Sequence, residues 1–104
     1  MQAIKLEITQ YIDNDFPGFI EGNFFDIHGV QHIFHEKVPV VTLLDLDESS
    51  EYPQEGIIAC EIVQEHLAAN GRKIYQVDSA NPFSIETIEG NTQFEIFEEQ
   101  LVLF

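Results

Sequence analysis

Residues 18–38, GFIEGNFFDIHGVQHIFHEKV, constrain the fold more tightly than any other stretch. At its centre stands Asp26-Ile27-His28-Gly29. A type I turn favours Asp at its first position and Gly at its fourth, where a left-handed backbone is free of steric penalty. Strand pairing running outward from Asp26 and Val30 sets Phe24 opposite His32, Gly22 opposite Phe34 and Ile20 opposite Glu36. The period of two then gathers Ile20, Phe24, Phe34 and Val38 on one face, the expected core face. Phe19, Glu21, Asn23, Phe25, Gln31, Ile33, His35 and Lys37 fall on the other, a mixture suited to partial cover or to a partner. A two-residue turn at His28-Gly29 is the competing register, and it exchanges the two faces.

The flanking segments extend this hairpin into a sheet. Ile4, Leu6 and Ile8 alternate with Lys5, Glu7 and Thr9, and the pattern continues to Ile12, marking a first strand with one wet face. Breakers at Asp13-Asn14-Asp15 and Pro17-Gly18 lead into the hairpin, so the first three strands form a meander. Pro39 has no amide for a ladder and implies an edge, a bulge or a strand end. Residues 45–56, DLDESSEYPQEG, read as a long solvated loop. Ile57 to Val63 is apolar and β-branched, and Asn70-Gly71 signals a second hairpin, with strands near 57–66 and 72–78. A helix over 61–69, with Asn70-Gly71 as its C-cap, competes with that reading. Residues 84–88 and 93–97 are expected as a last pair of strands around Glu89-Gly90-Asn91. The apolar tail Leu101-Val102-Leu103-Phe104 is expected to dock on the core. The expected fold is therefore all-β and mainly antiparallel: a single domain over 1–104 with about seven short strands in a small barrel or sandwich, and at most one short helix near 61–69.

Charge bounds the function. Nineteen Asp and Glu face four Lys and Arg, a formal net charge of -15. Such a surface repels phosphate backbones and anionic lipid, which disfavours direct nucleic-acid binding; it serves either as a solubility surface, in a salty cytosol for example, or to steer toward a basic protein partner, and charge alone does not separate the two. With 44% hydrophobic residues there is enough apolar material for a core despite the charge. Cys60 is the single cysteine, so no internal disulfide forms, and its apolar neighbours cast it as a small buried hydrophobe. The N-terminal residues lack a basic region followed by an apolar run, and no segment reaches membrane-spanning length, so the expected location is cytoplasmic, with no membrane contact.

Chemistry-bearing residues concentrate in two places. Asp26, His28, His32 and His35 lie within one hairpin and are the candidate metal ligands, although the register puts His32 and His35 on opposite faces. The loop Asp45-Leu46-Asp47-Glu48-Ser49-Ser50-Glu51 imitates the start of a calcium loop, yet Ser50 stands where the turn wants Gly and Gly56 where the bidentate Glu belongs. There is no nucleophile elbow, phosphate-cradling glycine loop or dinucleotide fingerprint, so catalysis is disfavoured and no cofactor is called for. The leading expectation is a small protein-binding module, for example an inhibitor or immunity-type protein. Its contact residues would be Phe19, Glu21, Phe25, Asp45, Asp47, Glu48, Glu51, Tyr52 and Tyr75, aromatic anchors among acidic groups. A ligand- or metal-binding β-barrel, enzymatic through the histidine hairpin, is the second reading. A homo-oligomer assembled through edge strands and the tail is the third.

Overall fold

The computed structural model describes residues 1–103. Seven strands curl into one antiparallel half-barrel sheet: β1 (Gln2–Asp13), β2 (Phe19–Phe25), β3 (Gln31–Lys37), β4 (Gln54–Leu67), β5 (Lys73–Asp78), β6 (Gln93–Phe97) and β7 (Leu101–Leu103). The order across the sheet is β3-β2-β1-β4-β5-β6, and β7 pairs with β1. One short helix, α1 (Val38–Val41), follows β3.

The central hairpin forms in the expected register, with Phe24 opposite His32, Gly22 opposite Phe34 and Ile20 opposite Glu36. Its turn closes through the Gly29 amide donating to the Asp26 carbonyl at 3.0 Å, with Gly29 at φ +75°. Ile20, Phe24, Phe34 and Val38 are buried as the alternation requires. They join Ile4, Leu6 and Ile8 of β1 in one core with Ile58, Val77, Phe94 and Ile96. Each such side chain contributes roughly 1.5–3 kcal/mol on burial. The tip of the hairpin is tied across the open side of the half-barrel, where the Ile27 amide donates to the Glu95 carbonyl of β6 at 3.1 Å.

The hairpin expected around Asn70-Gly71 forms, between β4 and β5, and three other expectations are corrected. Residues 61–69 are not a helix: Glu61 to Leu67 pair with β5, and Ala68–Gly71 form a turn in which the Gly71 amide donates to the Ala68 carbonyl. β-branched and partly apolar residues with a ladder partner outweigh the helix preference of Ala68-Ala69. The short helix stands instead at Val38–Val41, where Pro39 fixes φ in the first turn. Residues 84–88 form no strand. Ser79 Oγ donates to the Ile85 carbonyl at 2.6 Å, while Thr87 Oγ1 accepts from the Asn91 amide at 3.0 Å, so local bonds fold the segment over the core instead of into a ladder. Finally, Ile12 faces solvent, because an irregularity between Ile8 and Gln10 reverses the alternation and turns Tyr11 toward the core. The tail pairs with β1 through β7 and Leu101 packs against the core as expected, whereas Leu103 is exposed; Phe104 lies outside the described residues.

Candidate functional site

The outward face of β4-β1-β2-β3 is laid out in rows by the register. One row runs from Glu55 on β4 to Glu7 on β1, Asn23 on β2 and Ile33 on β3. The next row pairs Ile57 with Lys5 and, on the far side, Phe25 with Gln31. An open groove crosses these rows, lined by Lys5, Glu7, Asn23, Phe25, Gln31, Glu55 and Ile57, with Leu43, Leu44 and Pro53 as a lip.

The lip is held rigidly by its own segment. Between α1 and β4 the chain is pinned at Leu46, which is buried in the core, and at Tyr52, which packs against it. Tyr52 Oη donates to the Asp47 carbonyl at 2.8 Å, and the Leu44 amide donates to Thr42 Oγ1 at 3.1 Å. Leu43, by contrast, is fully exposed, and Leu44 is 53% exposed. Phe16, in the neighbouring β1–β2 turn, is 98% exposed. That turn adjoins α1 through the Val38 amide, which donates to the Gly18 carbonyl at 2.9 Å. Exposed apolar side chains that lie together and are rimmed by polar residues can contribute contact area to an interaction face.

Acidic groups surround this end of the sheet. Asp13, Asp15, Asp45, Asp47, Glu48, Glu51 and Glu55 make no ion pair among the described residues. The cations that do pair lie elsewhere: Arg72 bonds Glu99 and stacks 3.5 Å above the Phe97 ring, and Lys73 lies 3.7 Å from Glu98. Glu7 and Glu55 stand directly opposite one another in the β1–β4 ladder, both exposed. Like charges in that position destabilise a sheet.

The expected contact residues fall into three groups. Phe25 lines the groove and is half exposed. Asp45, Asp47, Glu48 and Glu51 lie exposed on the lip segment, where hydrogen bonds from Ser49, first among them its hydroxyl at 2.7 Å, hold the Asp47 carboxyl below its usual range. Phe19, Glu21 and Tyr52 are half-buried, and burial pushes the Tyr52 hydroxyl up. Tyr75 is the exception: it belongs to the core, so its expected exposure is corrected. The β5 alternation of buried Tyr75 and Val77 explains the placement. Sequence reasoning missed Phe16, Leu43 and Leu44. Two leucines just before an acidic run were the available signal.

The candidate metal ligands are not brought together. His28 Nε2 lies 3.4 Å from Glu95, His32 Nε2 lies 2.8 Å from Asp26, and His35 Nε2 lies 2.9 Å from Glu21, three separate pairs. No group of three or more His, Cys, Asp or Glu able to hold a metal occurs among the described residues. Asp26 acts as the keystone of its turn: Oδ1 accepts the His28 and Val30 amides at 2.8 and 3.1 Å, while Oδ2 accepts from His32. Partial burial pushes its carboxyl up, but these bonds together hold it below the usual value. In the Glu21–His35 pair the imidazole bond lowers the carboxyl of Glu21. Cys60 is buried, and desolvation raises its thiol to about 11, so it stays protonated at neutral pH.

Among the described residues no helix is long and apolar enough to cross a membrane. No protein-family model, curated protein or solved structure matches the chain.

Proposed function

We propose that the chain is a small acidic protein-binding module that meets a basic protein surface. One observation carries the reading: acidic groups without ionic partners surround apolar side chains that a pinned segment holds in water, Leu43 and Leu44 above all. The acidic rim would steer a basic partner and screen out anionic ones, nucleic acid included, while the apolar groups supply the contact area that charge alone does not. An inhibitor of a basic enzyme is one member of this class.

The test is affinity purification on the immobilised chain at low and high salt, with mass spectrometry of the retained proteins and metal analysis of the bait. A basic protein that is released by salt, and that rebinds after purification, supports the proposal. Retained proteins that are not basic and do not respond to salt would reject it.

A further inference from the structure

The sheet protects its edges unequally. An edge with unpaired amides and carbonyls is a template for another chain, and proteins blunt it with lysine, an inward-pointing charge, a bulge or a covering loop. On β3 the Ile33 carbonyl accepts the Ile88 amide at 2.9 Å, Lys37 ends the strand, and Glu36 sits half-buried opposite Ile20. On β6 the Glu95 carbonyl accepts the Ile27 amide, and β7 covers Gln2, Ala3 and Ile4 of β1. β4 is different. Its ladder with β1 stops at the Gln2 to Cys60 pair, while β4 runs on to Leu67 with β5 along its other side. Among the described residues no strand pairs residues 62–67 on the β1 side, and this stretch contains no Lys, Arg or Pro. Its irregularity lies at the start, between Ile62 and Gln64; from Gln64 to Leu67 the ladder with β5 is regular, so the backbone is extended and ready to pair. Residues 63–67 are all exposed.

The edge itself specifies the conformation of its occupant. Amides and carbonyls that point outward at alternate residues are satisfied by a second extended backbone; a helix spends its own amides internally, and a nucleic acid has none to offer in register. Charge specifies the chemistry. Residues 61–67 carry Glu61 and Glu65 and no Lys or Arg. Lys73, opposite Leu67 in the ladder, is shared between Glu98 at 3.7 Å and Glu65 at 4.0 Å, and Arg72 bonds Glu99. A second copy would bring one formal charge of -15 against another, whereas a cationic strand is attracted. Residues two apart in a strand share a face, so Glu65 and the exposed Leu67 stand side by side. We infer that the open edge of β4 takes an extended, cationic segment of a protein partner as an added strand, with an arginine or lysine beside Glu65 and an apolar side chain beside Leu67. This rests on the acidic-module reading for the sign of the partner's charge, and adds a second contact beyond the groove, whose β4 residues Glu55 and Ile57 lie toward the other end of the strand.

The experiment is an amide NMR titration of the intact chain at low salt, with hydrogen exchange, using three synthetic peptides. The first has an arginine with a leucine two residues to either side and threonine elsewhere, so that it fits in either strand direction. The second replaces the arginine by glutamate, and the third is the first with its central amides N-methylated. The first peptide is expected to bind most tightly, to shift the amides of residues 62–67, and to slow exchange at alternate amides there by about tenfold or more. N-methylation is expected to weaken it by about tenfold or more, the scale of several lost hydrogen bonds. Glu65→Gln, at an exposed position, is expected to weaken the first peptide by up to about fivefold, as an exposed cross-strand charge pair predicts. Equal binding of the N-methylated or the glutamate peptide overturns the inference, as do shifts confined to residues 43–51 or no binding of the first peptide at all. Protection of residues 62–67 that rises with concentration in the free chain also overturns it, by making a second copy the occupant. Each of these leaves the acidic-module reading to its own test, since that reading falls only when the immobilised chain retains no salt-released basic protein.

Discussion

Removing the carboxylate of Asp26 tests how the central hairpin is held. The side chain accepts two turn amides and the His32 ring, and the His32 and Asp26 side chains are only 14% and 12% exposed. Asp26→Ala strips all three bonds and leaves a partly buried imidazole and the Val30 amide without their acceptor. At about 1 kcal/mol per bond, and more for charged acceptors, the loss is about 2–4 kcal/mol. That is a large share of the roughly 5–15 kcal/mol expected for a domain of this size. Asp26→Asn keeps an oxygen for both amides and loses only the charge toward His32, about 1 kcal/mol. Urea unfolding followed by far-UV circular dichroism at pH 7 gives both differences. The carboxyl is held below its ordinary value in the folded state. Its stabilisation is therefore fully present above the unfolded value, about 3.9, and fades as pH falls through the lower folded value. The gap between wild type and Asp26→Asn should shrink in that acid range. An asparagine variant as unstable as the alanine one, or an alanine loss under about 1 kcal/mol, would refute the keystone role.

Two further outcomes follow from packing and burial. Gly56→Ala would put a methyl 2.7 Å from Ile8 Cδ1 and 2.9 Å from the Val41 carbonyl oxygen, a backbone atom of α1; a loss of about 1–3 kcal/mol in urea unfolding is expected, and an unchanged midpoint would contradict the close approach of α1 to β4. Glu36→Gln should act in the opposite sense, since burial raises the Glu36 carboxyl. The charged form is penalised in the folded state, so the variant should be more stable than wild type at pH 7. The gain should vanish below the unfolded carboxyl value near pH 4, as thermal melts at both pH values would show.

Where local chemistry decided the structure, the sequence was legible. Asp26 and Gly29 specify one turn, and the alternation of Ile20, Phe24 and Phe34 specifies one face, so turn and pattern agree on the register. Asn70-Gly71 did the same for the β4–β5 hairpin, with Gly71 at φ +84°. Reading failed where bonds that leave no periodic trace decide, whether side-chain bonds a few residues away or contacts distant in sequence. No alternation in residues 84–88 shows that they answer to the nearby Ser79 hydroxyl and to Ile33 of β3, whose carbonyl accepts the Ile88 amide at 2.9 Å, instead of to a strand partner. The Ile8–Gln10 irregularity likewise depends on β2 and cannot be seen from the period of β1. For the groove, Phe25 and the acidic loop were readable as exposed groups. The lip was not, because Leu43 and Leu46 look alike in sequence and differ only in which one finds the core.

The three-way pairing of β1 bears on how the chain assembles. Its first residues bond β4 on one edge and β7 on the other, so Gln2–Ile4 await Leu101–Leu103. During synthesis the opening strand leaves the ribosome long before the closing one. Until then its outer edge offers unsatisfied amides and carbonyls to any neighbouring chain. Closing a loop of this span costs entropy that only the finished sheet repays. The sheet should therefore be completed only once β7 has been made, with the open edge at Gln2–Ile4 most association-prone just before that strand arrives.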